Sequence, residues 1–258
     1  MSRYYFVGTS LPPIAIGEKP ELSFAELMSR LKMNLTPSDW KKVEGLLWPT
    51  DLSNIRAFWM GLPMDEKGLF LPKELEEALL VKEGIPEYLK DYLDRYQSSE
   101  DHLRYFPSLW ASMYRDMVSR EKGFLLKYYT LEREIRLVLT ALRAKWTKRD
   151  VVRELQFEDP MDPFISYILA QKDASDFMPP VEYADLKALV VAKREHPKEL
   201  HRALLEYRFQ KISEMEEGEY FTIDQILAYT AKLLLVESWQ ELDEEKGRTL
   251  IKELSEHG

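Results

Sequence analysis

Apolar positions along this chain recur at alternating steps of four and three, the spacing of helices that lay one face against neighbours. The stretch from Phe124 to Lys148, FLLKYYTLEREIRLVLTALRAKWTK, shows it most clearly. Phe124, Tyr128, Leu131, Ile135, Val138 and Leu142 form one seam, and Glu132, Arg133, Glu134, Arg136 and Arg143 are threaded around it. None of these side chains is a nucleophile or a redox group. The pattern predicts either a strut laced with ion pairs or a docking helix.

Helix starts are marked elsewhere by capping chemistry. Ser23 with Glu26 three residues later is a capping box ahead of Phe24, Leu27 and Leu31. Thr36-Pro37 opens a second helix through Trp40, Val43 and Leu47, and Asp51 is placed to cap a third through Ile55, Phe58 and Trp59. Pro72, Pro86 and Pro107 each stand where a proline can begin a helix, and Gly123 marks a bend before the long seam. Asp150, Asp162-Pro163, His196-Pro197 and Thr222 with Gln225 supply further starts, and a last helix is expected to reach Leu254. Strand character is confined to Tyr4 to Val7. The expected fold is all-α: an elongated or funnel-like array of helical bundles joined by short proline-containing turns, either divided into units 1–106 and 107–258 or continuous as one α domain. A weak repeat relates Asp51–Ala57 to Leu131–Leu137, each carrying an Ile-Arg pair at the start of an apolar run.

Composition narrows the function. The 258 residues include 45% apolar side chains and only 10 glycines, enough for a sizeable helical core. A formal net charge of -9 argues against nucleic acid as the main partner, because phosphate binding needs a dominant basic surface. With no cysteine, disulfides, thiolate metal sites and thiol nucleophiles are excluded, and a reducing cytosolic setting is expected. No apolar run approaches the roughly 20 residues of a membrane-spanning helix, so any membrane association is expected to pass through a partner.

Motifs of catalysis are missing. There is no glycine-rich phosphate loop, no HExxH and no Glu-x-x-His. The histidines are His102, His196, His201 and His257; His196 and His201, with Glu195 and Glu199, are the closest approach to a metal set, but a proline lies between them and a polar turn explains them better. Asp159, Asp162, Asp173 and Asp176 could pair for proton transfer, yet each stands where a cap or turn wants Asp. The basic run Arg143, Lys145, Lys148, Arg149 and Arg153 complements a helix C-terminus, and it could also meet an acidic partner or an anionic membrane surface.

Several of these stretches resemble the C-subunit family of V-type ATPases, whose eukaryotic members are the d-subunits. Leu131 to Trp146 is similar to that family's "acidic-x-x-Asn-Leu-x-x-hydrophobic-Leu-Arg-x-Lys" helix, with Arg143 and Lys145 at its end and Glu134 where the pattern has Asn. Asp51-Leu-Ser-Asn54-Ile55 resembles the start of the same helix in another repeat, and Phe221 to Trp239, with Tyr229 and Glu237, resembles the closing segment. The N-terminal stretch with Leu11-Pro12-Pro13 looks like a short bacterial branch encoded beside V-type ATPase genes. The resemblance implies a funnel-like adaptor of the central stalk that joins the rotary axle subunits to the membrane rotor ring on its cytoplasmic side. It implies no catalysis, no cofactor and no small-molecule substrate. Arg136, Arg143, Lys145, Lys148 and Arg149 are the candidate interface residues, as docking groups or as internal ion pairs. The alternative is an unrelated all-α scaffold that binds another protein.

Overall fold

The computed structural model describes residues 3–216 and 220–256, with side chains through residue 242. Every regular element among them is helical, as the periodicity predicts. The α-helices in chain order are α1 (Tyr5–Thr9), α2 (Phe24–Asn34), α3 (Pro37–Met60), α4 (Pro72–Val81), α5 (Glu87–Arg95), α6 (Ser99–Arg104), α7 (Phe106–Arg120), α8 (Gly123–Trp146), α9 (Val151–Glu154), α10 (Pro163–Leu169), α11 (Ala184–Lys193), α12 (Pro197–Met215) and α13 (Ile223–Glu256). No helix among the described residues is long and apolar enough to cross a membrane.

Two compact units are formed, Met1–Leu46 with Leu189–Gly258 and Leu47–Ala188. The boundary expected at 106/107 does not separate them, because α5 and α6 pack on α7 and hold that joint inside the second unit.

In the first unit α2 packs on α13, and α13 on α12, around Leu27, Leu31, Ile212, Ile226, Leu233 and Val236, all buried. The Ser23 capping box forms in both directions: Oγ accepts from Glu26 N at 3.3 Å, and the Glu26 carboxylate accepts from Ser23 N at 2.9 Å. Glu237 accepts from Phe24 N at 2.6 Å, which fixes the start of α2 against α13. The segment with strand character, Tyr4 to Val7, instead caps and opens the short helix α1, with Tyr4 as its N-cap. Among the described residues there is no strand for it to pair with, and Val7 finds its burial on α2 and α13. Gly8 follows from that packing, since a Cβ there would stand 2.6 Å from the Phe221 ring.

The second unit is built around α8. Its buried face takes in Phe124, Leu131, Ile135, Val138 and Leu142 of the expected seam, with Tyr128 half-buried, and adds Leu125, Tyr129, Leu137, Ala141 and Ala144. Leu109, Met113 and Met117 of α7 and Ile165 and Ile168 of α10 are buried in the same core. The helix expected to start at Asp51 does not exist. α3 runs unbroken through Pro49, and Asp51 lies in its interior. A proline inside a helix costs roughly 3 kcal/mol, and here Leu46, Leu47, Leu52 and Ile55, buried on both sides of it, offset that cost. The end of the chain is likewise one helix, α13, where two were expected.

Candidate functional site

The C-terminal end of α8 is built with unusual care. Thr147 is the C-cap, and Lys148 follows in the left-handed region at φ 54. Arg149 N donates to Ala144 O at 2.8 Å and Lys148 N to Lys145 O at 3.2 Å, the paired bonds of a Schellman motif. Glycine normally takes the left-handed position, so lysine there carries strain. Lys145 turns away from the tip. Its ammonium donates to the carbonyls of Gln171, Lys172 and Ala174 at 2.7, 2.6 and 2.7 Å. One side chain thus closes the turn after α10, adding to the backbone bond that Gln171 O already accepts from Ala174 N at 3.1 Å.

Arg136 is also engaged from within. It pairs with Glu158 and lies 5.2 Å from the centre of the Tyr114 ring. The Glu158 side chain is only 5% exposed and is shared with Arg133, 4.0 Å away, which itself meets Asp162 at 3.0 Å. Asp162 accepts from Phe164 N and Ile165 N at 2.9 and 3.1 Å, so one carboxylate caps α10 and tethers it to α8. On the same helix Glu134 accepts from the Tyr183 hydroxyl at 2.5 Å, and burial pushes its carboxyl above the usual range against that hydrogen bond. Of the five cations singled out from sequence, Arg136 and Lys145 therefore face their own chain. Arg143, Lys148 and Arg149 are exposed. Arg149 makes a loose contact with Glu154 at 3.5 Å, and no ion pair engages Arg143 or Lys148 among the described residues.

The weak repeat has a physical counterpart. Ile55 and Ile135 are both fully buried, while Arg56 and Arg136 lie over the Phe106 and Tyr114 rings of α7, at 5.8 and 5.2 Å. The residue before each Ile-Arg pair fastens a distant segment: Glu134 holds Tyr183, and Asn54 exchanges two hydrogen bonds with the backbone of Asp65, both 2.8 Å. Asp51, completely buried, accepts from Leu69 N at 3.0 Å. Burial raises its pKa to about 6, although the Leu69 and Phe70 amides pull the other way. Gly68 completes this clamp, since a Cβ there would lie 2.5 Å from Asp51 Oδ1.

The residues weighed for other chemistry are placed apart. His102 stacks on Trp59 at 4.3 Å, His196 is the N-cap of α12, and His201 lies beside Trp239; His257 falls outside the described residues. No cluster able to hold a metal ion occurs among the described residues. Asp159, Asp162 and Asp176 each accept a nearby backbone N–H, the turn and cap role expected of them.

The chain belongs to the family described as "Protein of unknown function (DUF2764)", which matches residues 1–257. It is similar to uncharacterized proteins of Chlamydia muridarum, 31% identical over 257 residues, and Chlamydia trachomatis, 29% identical over 262 residues, with 97% of each chain covered in both cases. A Chlamydia pneumoniae relative is 28% identical with 98% of each chain covered. No solved structure matches. These matches correct the resemblance to the V-type ATPase stalk family: the family that covers the chain is a different one, and no relative bears that name. The residues that suggested it have local explanations. Lys145 of the Leu-Arg-x-Lys ending closes a turn and Glu237 fixes α2, while Glu134, which departs from that family's pattern, holds Tyr183.

Proposed function

We propose that this protein is a non-catalytic helical adaptor that docks an acidic protein partner at the C-terminal end of α8. One observation carries the reading. The helix end is fixed by a Schellman motif and by Lys145, yet Arg143, Lys148 and Arg149 stay exposed beside it. In a chain of net charge -9, three exposed cations held together on a rigid support form a surface suited to an acidic partner. Rigidity matters because a docking edge that is already ordered loses little conformational entropy on binding. The adaptor works in the cytoplasm and meets the membrane only through its partner.

The test is purification of the complex from a native host followed by native mass spectrometry. A stoichiometric acidic protein in the complex supports the reading. A chain that purifies alone at native concentration contradicts the adaptor role.

A further inference from the structure

In the second unit α5 and α7 line an open groove of about 380 Å³, within the range of roughly 300–1,000 Å³ typical of small-molecule sites. Its lining is polar. Asp91 and Arg95 come from α5, with Tyr96 just beyond its end, and Ser112, Arg115 and Asp116 come from α7. The charges do not cancel inside the groove. Asp116 is taken by Arg120, whose Nε lies 2.9 Å from it. Arg115 donates one N–H to the carbonyl of Phe157 at 3.2 Å, which holds its guanidinium without neutralising it. Arg95 has no carboxylate partner among the described residues, nor has Arg115, and Asp91 has no cation. Two charged forks therefore face one free carboxylate, in a protein that is strongly acidic overall.

Hydrogen-bond capacity points the same way. Ser108 and Ser119, which also line the groove, donate back to the carbonyls of Tyr105 and Asp116, both at 2.8 Å. The Ser112 hydroxyl makes no hydrogen bond among the described residues. The groups left for a ligand include two guanidiniums and the hydroxyls of Ser112 and Tyr88, the latter buried without a hydrogen-bond partner, as donors, and Asp91 as acceptor. Planar forks of N–H groups match the geometry of phosphate and carboxylate oxygens, where bonds to ionised acceptors are roughly twice as strong as neutral ones.

We infer that the α5–α7 groove binds a small organic oxyanion, its phosphate or carboxylate on Arg95 and Arg115 and its hydroxyl groups toward Asp91. This goes beyond the adaptor role and does not depend on it. The site uses no residue of the α8 end.

The experiment uses the full chain with two probes at constant ionic strength, glucose 6-phosphate for the phosphate class and citrate for the carboxylate class, and with glucose as the uncharged control. At a probe concentration about tenfold above its Kd the thermal midpoint rises by about 3–5 °C. The rise is lost in Arg95→Gln and Arg115→Gln, both at exposed positions and expected to fold. It is lost as well in Ser112→Leu, which fills the groove and keeps both charges. Whichever probe acts identifies the oxyanion class. No shift from either probe overturns the inference. A shift that survives in all three variants does so too, since it would reflect charge screening elsewhere.

Discussion

Lys145 Nζ and the carbonyl oxygen of Gln171 stand 2.7 Å apart across 26 residues of chain, and the same ammonium reaches two further carbonyls, those of Lys172 and Ala174. The long helix and the turn after α10 are thereby one piece of structure. Lys145→Met keeps the apolar stem and removes three charge-assisted bonds. It is expected to lower stability by about 1–2 kcal/mol, read from urea unfolding. Arg143→Glu, at an exposed position, is expected to change it by less than about 0.5 kcal/mol.

Glu158 is the buried centre of the ion-pair network on α8. Glu158→Gln leaves Arg136 and part of Arg133 without a counter-charge, and removal of one partner from a buried pair costs about 3–5 kcal/mol. The double variant Arg136→Met with Glu158→Met is expected to lose less than the sum of the two single changes. A double-mutant cycle by chemical denaturation measures this. Additive losses would mean that the two groups act separately.

Gly68 has no room for a methyl group, because Asp51 Oδ1 and Asn54 Nδ2 would lie 2.5 and 2.8 Å from it. Gly68→Ala is expected to push the loop off its clamp at a cost of about 1–3 kcal/mol. Hydrogen exchange localises the effect: the amides of Asp65 and Leu69, both bonded to the clamp, lose protection, while those of α8 keep it.

Asp51 gives the clamp a pH dependence. Its carboxyl titrates at about 6 in the folded chain against an ordinary value of 3.8. Between these two values the folded state binds more protons than the unfolded one, so this group's contribution is full below pH ~4 and is lost as pH rises through ~6. Relative to Asp51→Asn, which does not titrate, the wild type should therefore be more stable at pH ~4 than at pH ~7, by up to about 3 kcal/mol over two pH units. Urea midpoints of both proteins across that window decide it. A difference that does not change with pH would place the Asp51 pKa near its ordinary value.

Local chemistry was readable from the sequence wherever a motif is short. Ser23 with Glu26, Asp150 and Asp162-Pro163 all act as the caps they resemble, since each bond spans two or three residues. The seam of α8 was readable because a buried face repeats with the helical period. What escaped depends on long-range partners. Asp51 looks like a helix cap and is instead a clamp on residues 69 and 70, set within a helix that tolerates Pro49 because its flanks are buried. Tyr4 to Val7 has strand-forming side chains but no strand to pair with among the described residues. The interface candidates divided for the same reason. Nothing near Arg136 or Lys145 announces Glu158 or the carbonyls of 171, 172 and 174, whereas the exposure of Arg143, Lys148 and Arg149 follows from their place at the helix end. The α5–α7 groove left no trace, because its residues meet only when the two helices pack. The Ile-Arg pairs were the available clue to the arginines that lie over α7.

The adaptor role rests on the exposed edge of α8, and one comparison tests it most directly. The tagged full-length chain and its variant Arg143→Glu/Lys148→Glu/Arg149→Glu are expressed in a native host and analysed as intact complexes by native mass spectrometry, with circular dichroism to verify equal helix content. The expected result is a stoichiometric protein partner on the wild type that is absent from the variant at the same salt concentration. The same partners in the same amounts on both chains would contradict the assignment of this edge as the docking surface.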